Sequence, residues 1–116
     1  MVANTSLMNW EVNIMSINII INDMVKLNFQ QFSVPTGVSR KNRKTGDARE
    51  SFADMIYLNV NGIRAHILAM KIFHSEGETE YSQEEVKLIT EVAEKLCAPN
   101  FIDGLMEQLN NQPKNE

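Results

Sequence analysis

Five cations fall within ten residues: Arg40, Lys41, Arg43, Lys44 and Arg49. Thr45 and Gly46 stand among them, and a helix is expected to begin just downstream. Guanidinium and ammonium groups beside a hydroxyl and unpaired backbone N–H groups are the parts of a phosphate site. Phosphate offers several acceptor oxygens, and the N–H groups at a helix start carry partial positive charge. Thr45-Gly46-Asp47 is not a P-loop, because the glycine spacing and the terminal Lys-Ser/Thr are absent. A charge run is also what a solvated loop carries for solubility. The expectation taken forward is a non-enzymatic protein that grips a phosphate-bearing ligand, a nucleotide or nucleic acid, through Arg40, Lys41, Arg43, Lys44, Thr45, Gly46 and Arg49. No aromatic platform accompanies these residues, which counts against strong single-strand binding. The alternative is a protein–protein interaction module, an adaptor or inhibitor, that uses the helical surfaces of an oligomer.

The remaining reactive side chains do not assemble into a reaction. His66 and His74 are eight residues apart, not the four that let two helix residues share a metal ion. His66 falls on an apolar stripe with Asn59 and reads as a core histidine. Cys97 falls on the apolar side of its helix, where a thiol is inert. The serines form no G-x-S-x-G elbow, and the carboxylates are too scattered to pose an acid–base pair. The reading is no enzyme, no metal and no cofactor.

The elements that must hold these residues follow from periodicity. In the stretch 51–73, Phe52, Ile56, Val60, Ile63, Ile67 and Met70 recur at steps of three and four, which is helical. Asn61-Gly62 within it is a hairpin-turn signal, but Ile67-Leu68-Ala69-Met70 does not alternate as a strand must. One helix over 51–74 is expected, capped by Ser51 or Asp47, with Phe52 to Met70 as its core stripe. Gly62, Ala65 and Ala69 give it a small-residue face for another helix. Ser82 and Glu85 have capping-box spacing, with Tyr81 and Val86 placed as a hydrophobic staple, so a second helix spans 82–97. Ala98-Pro99 breaks it. Asn100 caps a third helix over 100–109 with Ile102, Leu105, Met106 and Leu109 inward, and 110–116 reads as a frayed tail.

Upstream, Leu7, Trp10, Ile14, Ile17, Ile21 and Met24 are spaced alternately by three and four, a helical seam. Ile17, Ile19 and Ile21 also alternate like a strand. A strand through 25–34 is expected, ended by Pro35-Thr36-Gly37, with 40–49 an exposed loop. The strand needs a partner, either Ile17–Ile21 or a second copy. Met55, Met70 and Met106 fit core positions. The fold class is mainly α with a minor β element, a small α+β domain of about three helices and an N-terminal strand.

Composition bounds the rest. A chain of 116 residues that is 43% hydrophobic makes one domain, 1–116, with 1–15 loosely attached. The net charge of −4 argues against a dedicated duplex-DNA binder. From Glu76 onward lie ten of the fifteen acidic residues and only three lysines. The single cysteine rules out an internal disulfide framework. There is no basic segment before the first apolar run, and no apolar run reaches the ~20 residues that span a bilayer. A cytoplasmic, membrane-free homo-oligomer is therefore expected, with a phosphate-bearing ligand, nucleic acid or protein as partner.

Overall fold

The computed structural model describes residues 24–112. In chain order they form β1 (Val25–Leu27), β2 (Phe32–Pro35), β3 (Arg43–Gly46), α1 (Arg49–Asn59), α2 (Ile63–Phe73), β4 (Thr79–Tyr81), α3 (Gln83–Leu96) and α4 (Pro99–Asn110). β1 pairs antiparallel with β4, placing Val25 opposite Tyr81 and Leu27 opposite Thr79. β2 pairs antiparallel with β3, placing Phe32 opposite Gly46 and Pro35 opposite Arg43. The expected α+β class holds: two small sheets carry a layer of helices.

The expected single central helix is two helices packed on one another. Helical periodicity was the right reading, but Asn61-Gly62 is a real turn that joins helices rather than strands. Gly62 has φ 108°, a conformation that side chains with a Cβ rarely adopt, and it opens α2. The inward face also differs. Phe52, Ala53 and Ile56 of α1 are buried, but in α2 the core takes Ala65, Leu68, Ala69 and Ile72. Ile63, Ile67 and Met70 of the expected core stripe lie outside, and so do Asn59 and His66. The small residues Ala65 and Ala69 let the core close over α2 within the chain, so they are not spare for a second copy. Met55 packs against the core, whereas Met70 and Met106 are each 42% exposed.

The strand expected over 25–34 is interrupted at residues 28–31, where Asn28 Oδ1 accepts from Gln31 N at 2.9 Å. This bend divides it between the two sheets. Both halves find partners inside the chain, so neither needs Ile17–Ile21 or another molecule. Those isoleucines, the Leu7-to-Ile21 seam and the loosely attached 1–15 lie outside the described residues. Part of the expected 40–49 loop is β3, which is exposed throughout and owes its place to the ladder with β2 rather than to any apolar pattern.

The α3 cap is as its sequence implies. Ser82 Oγ accepts from Glu85 N at 3.1 Å, and Glu85 Oε1 accepts from Ser82 N at 2.8 Å. The other expected caps move. Neither Asp47 nor Ser51 caps α1, whose N-cap is Ala48, and Asp47 instead accepts from Arg49 N at 3.0 Å. α4 begins with Pro99 in its first turn behind Ala98, where proline's missing N–H costs nothing. Asn100 is therefore already helical, and its Nδ2 donates to Pro35 O at 3.3 Å.

α4 lies across both sheets. At Gly104 it meets β2 so closely that an added Cβ would sit 2.5 Å from Ser33 O. Further along, Gln108 Oε1 accepts from Asn28 N at 2.7 Å and Gln108 Nε2 donates to Asn28 O at 3.0 Å. Gln112 does the same for Lys26, at 2.7 Å both ways. The expected frayed tail is thus anchored as far as residue 112.

The core is aromatic. The rings of Phe29, Phe32, Phe52 and Phe101 stack in a closed set with centroid separations of 4.4 to 5.7 Å, and Tyr81 meets Phe29 edge-on at 6.0 Å. Tyr81 is fully buried, and burial pushes its phenol above the ordinary value, offset in part by the neighbouring Ser75 hydroxyl. No helix of the described residues is long and apolar enough to cross a membrane.

Candidate functional site

The basic segment forms the β2–β3 hairpin. Its turn is closed by Thr36 N donating to Asn42 O and Arg40 N donating to Gly37 O, both at 2.9 Å. Arg40 takes φ 61°, uncommon for a residue with a side chain. The structure brings Arg40, Lys41, Arg43, Lys44, Thr45 and Gly46 together on this hairpin and sets Arg49 apart at the start of α1.

Each arginine is engaged. Arg40 bridges to Asp103 of α4 at 3.2 Å. Arg43 reaches the same helix: its two terminal nitrogens donate to the two Glu107 carboxylate oxygens, while Nε donates to Ser33 Oγ at 2.9 Å. That is a bidentate fork, the strongest arrangement open to a guanidinium. Arg49 donates to both Asp47 oxygens and, through Nη1, to Ser75 O at 2.8 Å. Its hydrogen bonds hold the Asp47 carboxyl below the usual carboxylate range, and the Arg49 guanidinium is raised in turn. The arginines therefore act as a clasp between hairpin and helices. Lys41 and Lys44 remain exposed, while the Thr45 and Gly46 backbones belong to the β2–β3 ladder.

This fork changes what a substitution at Arg43 should do. Exposed changes ordinarily shift stability by less than ~0.5 kcal/mol. Arg43 and Glu107 are each more than a third exposed, so water screens part of the pair. Arg43→Ala is expected to cost about 1 kcal/mol, whereas Lys44→Ala should stay within ~0.5 kcal/mol. Urea denaturation of the two variants beside wild type checks this. Equal midpoints for all three would remove the clasp.

A second candidate was not legible as a site. α2 reads Ile-Arg-Ala-His-Ile-Leu-Ala-Met-Lys-Ile-Phe and is apolar on more than one side. One side is the core. The other leaves Ile63 70%, Ile67 56%, Met70 42% and Phe73 45% exposed. Ile63, Ile67 and Met70 follow at steps of four and three and so form a continuous stripe. Leu58 of α1 is also exposed, at 74%. The signal available in sequence was this excess: a surface helix needs one apolar face, and a second face calls for an occupant.

Beside the stripe, and sharing Ile67 with it, a groove of about 770 Å³ runs between α2 and α3. Its apolar lining is Val60, Ala65, Ile67, Leu68 and Leu88. Its rim carries Arg64 and Lys87 against Glu84, Glu85 and Glu91. Lys71 Nζ donates to Glu85 Oε1 at 2.9 Å and lies 4.6 Å from the centre of the Tyr81 ring, which ties α2 to the start of α3. Burial acts to raise the Glu85 carboxyl, but the Ser82 backbone N–H and the Lys71 ammonium outweigh it, so the group lies below its ordinary range and keeps its charge. Cys97 is elsewhere, with Sγ 3.4 Å from Met55 Sδ, and burial raises its thiol. Among the described residues no group of three or more His, Cys, Asp or Glu could hold a metal ion. A smaller, polar pocket of about 250 Å³ lies against α4 beside Lys26, Gln31 and Ser33.

No family model matches the chain, and no curated protein and no solved structure matches it either.

Proposed function

We propose that the protein is a non-enzymatic protein–protein interaction module whose binding face is the α2 stripe together with the α2–α3 groove. The observation that carries this reading is the exposure of Ile63, Ile67, Met70 and Phe73 on one side of a single helix. These side chains are already about half buried, so keeping the stripe in water forgoes about 1–2 kcal/mol for each one that a partner could cover. A groove lined by aliphatic side chains beside it suits an amphipathic helix, read by anchors at steps of three and four. The rim is mixed, with Arg64 3.7 Å from Glu84 and Lys71 on Glu85, so its three carboxylates against two cations tilt it only slightly toward a partner helix flanked by lysine or arginine. The basic hairpin supports the phosphate reading less well, because its arginines already hold carboxylates and an anion would have to displace Glu107 and Asp103 to reach them.

The test uses two synthetic helical peptides with the same leucine stripe, one flanked by lysine and one by glutamate. Each is titrated into the isotopically labelled chain and followed by amide chemical shifts. Binding of the lysine-flanked peptide should be the tighter, and the shifts should gather on α2 and the first half of α3. Ile67→Asp should weaken it at least about tenfold, since one buried isoleucine accounts for that much. Shifts confined to the β2–β3 hairpin, or affinity unchanged in Ile67→Asp, would rule the reading out.

A further inference from the structure

Beyond the helical face, we infer that β3 is a second docking surface: its outer edge takes an extended, acidic peptide segment as a further strand. The register decides which backbone groups are free for this. Thr36 N donates to Asn42 O at 2.9 Å, one step past the last ladder pair. Antiparallel pairs alternate between bonded and non-bonded. Val34 with Lys44 and Phe32 with Gly46 are therefore bonded pairs, whereas Pro35 with Arg43 and Ser33 with Thr45 are not. Proline has no N–H to give the ladder, and it falls on a non-bonded pair. The N–H and C=O groups of Arg43 and Thr45 thus turn away from β2. Nothing among the described residues bonds to them, and β3 is exposed along its whole length.

The other strand flanks are not open in this way. The outer flank of β1 is closed by the Gln108 and Gln112 amides. On β2, Ser33 O accepts from Arg43 Nη2 at 3.2 Å and Pro35 O accepts from Asn100 Nδ2 at 3.3 Å. β4 has three residues, and only the middle one, Glu80, turns its backbone groups outward.

Two features set the chemistry of the occupant. Arg43 and Thr45 present donors and acceptors in alternation, which a polypeptide backbone matches. A phosphate, which only accepts, does not. The charge along the edge is positive as well. Arg40 and Arg43 are held by Asp103 and Glu107, but Lys41 and Lys44 are exposed and pair with no carboxylate of the described residues. Lysine on an edge turns away strands that would bury it beside apolar or cationic side chains. It favours a strand with a carboxylate opposite, because opposite charges across a strand pair attract and like charges repel. The same rule excludes a second copy, since pairing β3 with β3 brings the cations of two hairpins together.

The test titrates three short peptides into the isotopically labelled full chain. One alternates valine and glutamate, one alternates valine and lysine, and one is the glutamate peptide with its backbone nitrogens methylated. Methylation removes the N–H donors and leaves the charges. The glutamate peptide should shift the β3 amides and slow hydrogen exchange at Arg43 and Thr45, whose N–H groups face outward. The lysine peptide should not bind, and the methylated peptide should bind at least about tenfold more weakly. Lys44→Glu should weaken the glutamate peptide about fivefold. If that variant fails to fold, the three peptides on the wild-type chain decide. Unslowed exchange at Arg43 and Thr45 with ~1 mM glutamate peptide at low salt overturns the inference. Equal binding of the methylated peptide does so too, because the contact is then charge alone. An oligonucleotide that shifts the hairpin where the glutamate peptide does not would give the lysines to a phosphate ligand instead. Glutamate-peptide shifts gathered on α2 and α3 would remove the β3 site and leave the helical face standing.

Discussion

Phe29→Ala is expected to lower the free energy of unfolding by about 3–5 kcal/mol, the range for deleting a buried phenylalanine. Phe29 is fully buried and stands where the two sheets and the helices meet. Its ring stacks on Phe32 of β2 at 5.7 Å and on Phe52 of α1 at 5.3 Å, and takes Tyr81 of β4 edge-on at 6.0 Å. Its carbonyl accepts from Ala48 N at 2.8 Å, which fixes the start of α1. One side chain therefore touches both sheets and α1, and the cavity left by alanine could not close without moving several elements. Aromatic pairs add about 0.5–1.5 kcal/mol each beyond area, so Phe29→Leu should recover part of the loss but not all of it. Small domains hold only ~5–15 kcal/mol in total, so the alanine variant should be partly unfolded at 37 °C. Urea and thermal denaturation of the two variants measure this. A loss under about 1 kcal/mol for alanine would mean that the stack is not the keystone of the core.

Gly104→Ala should destabilise by about 2–3 kcal/mol, against the ordinary sign for a helix interior. Alanine is the better helix former by ~1 kcal/mol, and at an open site this change stabilises. Here the new methyl would stand 2.5 Å from Ser33 O and 3.0 Å from both Phe32 Cε1 and Val34 Cγ1. The first of these is backbone in a paired strand, so α4 must lift away from β2. Lifting α4 also strains the Arg43–Glu107 fork and the stacking of Phe101 on Phe32, 4.4 Å apart. Gly104→Val should be worse than alanine. Equal or higher stability in Gly104→Ala would show that the helix and strand are not in backbone contact.

What the sequence revealed sorts by range. The Ser82–Glu85 cap involves four consecutive residues and was legible without any knowledge of the fold. Helical character over 51–73 was legible too, and so was the turn potential of Asn61-Gly62. The two signals are not rivals, since each belongs to a different part of one helical hairpin. The inward face of α2 was not legible, because Ile63-Ile67-Met70 and Ala65-Leu68-Ala69-Ile72 are both apolar at helical spacing. The second set went inside because its smaller members admit close neighbours. β3 could not be read at all: Arg43-Lys44-Thr45-Gly46 has no apolar residue, and its strand exists through the bonds that β2 offers it. The candidate site divides the same way. The cations were plain in the chain, but the carboxylates that engage Arg40 and Arg43 lie more than sixty residues away.

The glutamine side chains of α4 have a bearing on assembly. Four helical residues rise about 6 Å, and two strand residues advance nearly the same, so Gln108 and Gln112 fall into step with Asn28 and Lys26. Each primary amide turns one N–H and its oxygen to the strand and so stands in for a rung of backbone. The flank of β1 turned away from β4 is closed by these counterfeit rungs. An open strand edge is a template on which other chains can zip up, and this one has been filled from within by side chains too short to propagate a sheet. Whatever company the protein keeps through its helices, the Lys26 and Asn28 backbone groups on this flank are already bonded and offer no rung to another strand.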